Sequence, residues 1–163
     1  MSIRSHYQTH IDVITESIPS GYNPSIDEFV DLLLNCKGKI FFTGVGKNGH
    51  VAAKATSTFS SIGVSCFFID PVDSVHGDMG VINEEDILIA VSKSGNTEEL
   101  IHFLKHVKYK KCKIISIHSN PGNKSLKYSS LDINLNVRKE ADHLNIVPTC
   151  SIAVFTVFLQ SVA

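Results

Sequence analysis

Apolar positions change their rhythm twice along this chain of 163 residues. Between residues 2 and 17 a polar background is broken by Ile3, Tyr7, Ile11 and Ile14, at steps of four, four and three. That spacing is the stripe of an amphipathic helix. Pro19-Ser20-Gly21-Tyr22-Asn23-Pro24 reads as a loop. Ser25 is placed to cap a second helix, with Asp27 and Glu28 in its first turn and Ile26, Phe29, Val30, Leu33 and Leu34 along its apolar face.

From Gly38 the pattern turns to short apolar runs separated by helical stretches. Ile40-Phe41-Phe42, Cys66 to Ile69, Ile87 to Val91 and Ile114 to Ile117 read as buried strands. A fifth strand alternates as Leu131, Ile133, Leu135 and Val137. Helical segments are expected to about Ile62, over Glu98 to Lys108, and from near Val147 to the end. The last is apolar around most of its surface, which places it centrally or in a subunit interface. Alternating strands and helices with continuously apolar strands predict an α/β fold. Its parallel sheet is covered on both faces. The chain reads as one domain, residues 1–163, with N-terminal helices over 1–36 and a nucleotide-fold-like core over 37–163.

Composition adds limits. Apolar residues at 43% and charged residues at 19% are those of a globular protein with a core to bury. A formal net charge of -1 gives no broad basic field for nucleic acid. Cys36, Cys66, Cys112 and Cys150 are scattered without a Cys-x-x-Cys pair, a usage that suits a reducing cytoplasm. The longest apolar run, Ile152 to Leu159, falls far short of the ~20 residues that cross a bilayer. No membrane association is expected.

Two loops carry the chemistry. Gly44-Val45-Gly46-Lys47-Asn48-Gly49 spells G-x-G-x-x-G between a strand and a helix, with Asp70 at the end of the following strand. Alone, that is a dinucleotide fingerprint. Lys47 inside the loop argues against it, because a pyrophosphate site relies on backbone amides. So does Ser92-Lys93-Ser94-Gly95-Asn96-Thr97 after the third strand, where hydroxyls, a glycine and a helix N-terminus suit a phosphate. Two such loops on neighbouring strands converge on one crevice, able to hold a phosphate and the body of a small sugar. Glycines there also serve tight turns and close helix–strand packing.

Other polar groups surround that edge. His76 and Asp78 lie in a Gly-punctuated loop, where they cap turns or supply an acid–base group. Glu98 and Glu99 open a helix and complement its dipole. Glu140 falls in the Arg138-to-His143 cluster after strand five, either in a solvated charge group or in the crevice. His102 and His106 are four apart on a helix with no third ligand in reach of the spacing, so they read as surface residues. His118 ends strand four and reads as a capping or packed histidine.

Taken together, the motifs resemble the sugar isomerase (SIS) family, in its arabinose-5-phosphate isomerase and capsule-expression branch. The matching pieces are Gly44 to His50, His76-Gly77-Asp78-Met79-Gly80, Ser92 to Leu100, and Lys139-Glu140-Ala141 with Pro148-Thr149, in order over residues ~35–160. The resemblance implies a flavodoxin-like three-layer α/β/α sandwich on a five-stranded parallel sheet, forming homodimers or homotetramers with shared active sites. It implies a phosphosugar substrate, with interconversion of D-arabinose 5-phosphate and D-ribulose 5-phosphate, and no cofactor. Ser92, Ser94 and Thr97, with Gly44, Gly46, Asn48, Gly95 and Asn96, would bind substrate. Lys47, His76, Glu99 and Glu140 match catalytic positions.

Aldose–ketose exchange moves a proton between adjacent carbons through an enediolate. A carboxylate suits the shuttle, a cation the developing charge, and a His the oxygen proton. Either Glu99 or Glu140 fits the shuttle. Family enzymes usually continue to a Ser-His-Pro-Gly segment whose His belongs to the active site, and often to a CBS pair; neither lies within these residues. A form without that His could also bind a sugar phosphate as a sensor without turning it over. Asp70-Pro71 stands where relatives often have His-Pro, and Asn48 where Ser is common. No metal site is expected.

Overall fold

The computed structural model describes residues 2–17 and 23–163. Most of the loop read at Pro19 to Pro24 lies outside them. Helices α1 (Ile3–Ser17) and α2 (Pro24–Leu34) precede a repeating strand–helix core. The core runs β1 (Ile40–Gly44), α3 (Lys47–Ser61), β2 (Cys66–Phe68), β3 (Ile87–Val91), α4 (Glu98–Val107), β4 (Lys113–His118), β5 (Leu131–Asn134) and α5 (Cys150–Val162). All strand pairs are parallel, in the order β2-β1-β3-β4-β5. The order reverses between β1 and β3, which is where an open α/β sheet leaves a crevice at its carboxyl edge.

Side-chain alternation along the strands divides the core. Phe42, Ile89, Val91 and Ile115 point to one face, where they meet Phe29 of α2, Val51 and Phe59 of α3, and Phe155 of α5. Phe41, Leu88, Ala90 and Ile114 point to the other, against Leu100, Phe103 and Leu104 of α4. One-residue alternation in fully buried strands is what covering both faces requires. The edge strands differ: Phe67 and Phe68 of β2 are partly exposed, and β5 alternates between buried and exposed.

Three local expectations are corrected. The cap of α2 is Asn23, whose side chain accepts the Ser25 N–H, with Pro24 in the first turn. Asparagine and a following proline form a stronger start than a serine further along. Helix α5 begins at Cys150, not Val147, because residues 144–147 are folded back on Asp142. That carboxylate accepts the N–H groups of Leu144, Ile146 and Val147. Of the α1 stripe only Ile14 packs on the core, beside the buried Val13, while Ile3, Tyr7 and Ile11 face outward. Among the described residues, no helix is long and apolar enough to cross a membrane. All four cysteines are free thiols.

Candidate functional site

A parallel sheet sends every following helix away from its carboxyl edge, so helix N-termini gather there. The starts of α3 and α4 follow the two strands at the β1/β3 switch point, and the Lys93–Glu140 contact ties the start of α5 to the β3–α4 loop. A helix start has backbone N–H groups without an intrahelical partner and a partial positive charge. The three differ in what caps them.

At α3 the cap residue is Gly46, which has no side chain to offer. Gly44, just before it, is a site of close approach. A Cβ there would stand 2.8 Å from the Asn48 carbonyl oxygen and 2.9 Å from that of Val91. The glycine thus lets α3 start tight against β3. Lys47 is exposed in the first turn, and the Asn48 Oδ1 is buried without a hydrogen-bond partner.

At α4 the cap residue, Thr97, makes no side-chain cap hydrogen bond. Its hydroxyl lies 3.2 Å from the Ser92 Oγ instead. Ser92 is buried, and its Oγ accepts the Gly95 N–H at 3.2 Å. The Ser94 Oγ accepts the Asn96 N–H at 3.1 Å. Gly95 has φ +60° and lies against the Asn123 side chain, so a Cβ would be both strained and in collision. The loop is braced from behind. Asn120 Nδ2 donates to the Ser94 carbonyl at 3.0 Å, Ser125 N to that of Gly95 at 3.1 Å, and Lys124 N to the Asn96 Oδ1 at 2.8 Å. A loop held this way keeps its shape without a ligand.

At α5 the N-terminus is already occupied. The Glu140 carboxylate accepts the Thr149 N–H at 2.8 Å, the Ser151 N–H at 3.1 Å and the Ser151 hydroxyl at 2.6 Å. The Thr149 hydroxyl adds a bond at 3.2 Å, and the Lys93 ammonium closes the shell at 2.6 Å. Burial pushes this carboxyl up. Lys93 and the Ser151 and Thr149 hydrogen bonds outweigh it and hold the group down at about 2. Glu140 is therefore a fixed anion with its lone pairs taken.

The remaining residues are placed as follows. Glu99 is exposed in the first turn of α4. His76 is exposed in a 3-10 turn, Asp73–His76, on the β2–β3 connection. His118 is buried: Asn120 N donates to its Nδ1 at 3.2 Å, and its Nε2 lies 3.2 Å from Asp132. Burial pushes its pKa down, against the Asp132 contact, which raises it. His102 and His106 are exposed with their rings edge-on at 4.7 Å. Among the described residues, no three potential ligands gather for a metal. Sequence reasoning missed Lys93. Its position between Ser92 and Ser94 was visible, but its partner lies 47 residues away.

The model of the SIS domain matches residues 33–163, and the chain belongs to that family. Arabinose 5-phosphate isomerase KdsD of Francisella tularensis is 33% identical over 160 residues, 93% of this chain and 49% of the relative. KdsD of Pseudomonas aeruginosa is 37% identical over 140 residues, 84% of this chain and 43% of the relative. The chain thus spans about half the length of these curated relatives. A solved E. coli CFT073 protein in complex with arabinose 5-phosphate superposes with a TM-score of 0.93 at 31% identity, covering 98% of this chain and 85% of that one. The five-stranded flavodoxin-like sandwich expected from the sequence is the fold observed.

Proposed function

We propose that this chain carries the site of a phosphosugar aldose–ketose isomerase that interconverts D-arabinose 5-phosphate and D-ribulose 5-phosphate. The observation that carries the reading is the pair of uncapped helix N-termini, α3 and α4, on the two sides of the β1/β3 switch point. The hydroxyls of Ser92, Ser94 and Thr97 stand beside the second. A phosphate monoester brings a charge near −2 and several acceptor oxygens, which this arrangement complements. Likeness to isomerases of arabinose 5-phosphate supports the choice of pentose.

In this reading the phosphate sits on the Ser92–Thr97 loop and the sugar extends toward Lys47 and Asn48. Glu99 takes the C2 proton and returns it to C1. The two carboxylates are equivalent in the sequence, and their environments separate them. A carboxyl held at about 2 with its lone pairs filled is a poor proton acceptor near neutral pH. Glu140 is instead an anchor for Lys93 and for the start of α5. Lys47 stabilises the enediolate. His76 moves the oxygen proton, delivered from a neighbouring subunit in a homodimer or homotetramer. The exchange leaves the sugar's overall oxidation state unchanged and draws on no redox cofactor.

A second reading, a sugar-phosphate sensor without turnover, draws on the Ser92–Thr97 loop being braced in place by Asn120 and Lys124. Solvent exchange separates the two. In D2O an isomerase incorporates deuterium at C2 of D-arabinose 5-phosphate above the buffer rate. Protein that binds the sugar without incorporating deuterium is a sensor.

A further inference from the structure

The Lys93 side chain sits at the junction of the two halves of the site. It rises from the middle of the Ser92–Thr97 loop, and its main chain is fixed because Ser119 N donates to its carbonyl at 3.0 Å. Its ammonium reaches the N-terminus of α5 and donates to Glu140 Oε1 at 2.6 Å. An ammonium has three donors. Among the described residues Glu140 takes one of them, and about a third of the side chain (32%) remains open, against 1% for Glu140. Glu140 saturates its own lone pairs on the helix end and so holds the ammonium in one place. The arrangement is an oriented cation with spare donors, set between two serines of a phosphate-type loop.

We propose that Lys93 is a direct ligand of the substrate phosphate, and that Glu140 is the positioning residue that aims it. This rests on the reading of the Ser92–Thr97 loop as the phosphate site. It assigns the loop's charge selectivity to a side chain, where hydroxyls and backbone amides alone would supply only dipoles. A charge-assisted bond of this type strengthens binding on the order of ten- to a hundredfold. The ammonium distinguishes a dianionic ester from the unphosphorylated sugar.

Lys93→Gln alone would leave a buried, unpaired Glu140 and could unfold the protein. The decisive comparison is therefore the wild-type protein against the double variant Lys93→Gln/Glu140→Gln, which removes both charges together, with Glu140→Gln as the intermediate whose ammonium is present but no longer aimed. Binding of inorganic phosphate and of D-arabinose 5-phosphate is followed by calorimetry over a range of salt concentrations. The expected result is that the double variant binds both at least tenfold more weakly than the wild-type protein, with a shallower salt dependence, and that Glu140→Gln falls between them. Lys93→Arg is expected to retain most of the wild-type affinity. Equal affinity and equal salt dependence in the wild-type protein and the double variant would overturn the inference, leaving Lys93 as a structural ion-pair partner. Failure of the wild-type protein to bind either probe would overturn the phosphate-loop reading, and this inference with it.

Discussion

Replacing Glu140 by glutamine tests the electrostatics of the site through stability alone. The wild-type carboxyl is held at about 2, against 4.5 for a free glutamate. A folded-state pKa below the unfolded one adds stability that is fully present above pH ~4.5 and is lost as pH falls toward 2. The shift corresponds to about 3 kcal/mol. Because the side chain is almost wholly buried, solvent screening removes little of this. Glutamine keeps the volume, but it turns an NH2 group toward the Thr149 and Ser151 donors and leaves Lys93 without its counter-ion. The assay is urea unfolding of both proteins at several pH values between 2 and 7. The gap between them is expected to be about 3 kcal/mol at pH 6–7, and to close progressively below pH 4.5. Asp142, also lowered against its burial by the N–H groups of Ile146, Val147 and Leu144, is common to both proteins and cancels. A gap that stays constant with pH would refute the reasoning, because it would mean that Glu140 is not held ionised by the fold.

Three further outcomes are expected. Gly44→Ala should cost about 3 kcal/mol in urea unfolding, because its Cβ meets backbone atoms of β3 and α3 that cannot move aside. Gly95→Ala combines a positive φ with the Asn123 contact; it should cost about 2–4 kcal/mol and weaken phosphate binding in the protein that remains folded, as read by calorimetry. Glu99→Gln, at an exposed position, should change stability by less than about 0.5 kcal/mol and abolish deuterium incorporation at C2.

Short-range signals made much of this molecule legible. The apolar runs at Ile40, Ile87 and Ile114 are strands because only a sheet covered on both faces buries every residue of such a run. The two loops were legible because glycine and hydroxyl residues at a strand-to-helix turn have few other uses. What escaped was long-range. The start of α5 depended on Asp142 folding residues 144–147 into a turn, which no periodicity announces. The outward face of α1 carries the same stripe as a buried helix, so pattern alone did not show that Ile3 and Tyr7 stay exposed. Glu99 and Glu140 were indistinguishable as letters. Only the folded chain brings Lys93, Thr149 and Ser151 around one carboxylate and leaves the other open.

The central claim is that a phosphorylated sugar seats its phosphate on the Ser92–Thr97 loop at the uncapped start of α4 and extends its sugar toward the start of α3. Backbone amide shifts during titration with D-arabinose 5-phosphate, compared with unphosphorylated D-arabinose, test it most directly. The account predicts that the phosphorylated sugar moves the amides of Lys47, Asn48 and Gly95 to Leu100 well beyond any change caused by D-arabinose. Shifts confined to other parts of the molecule, or equal responses to the two sugars, would contradict it.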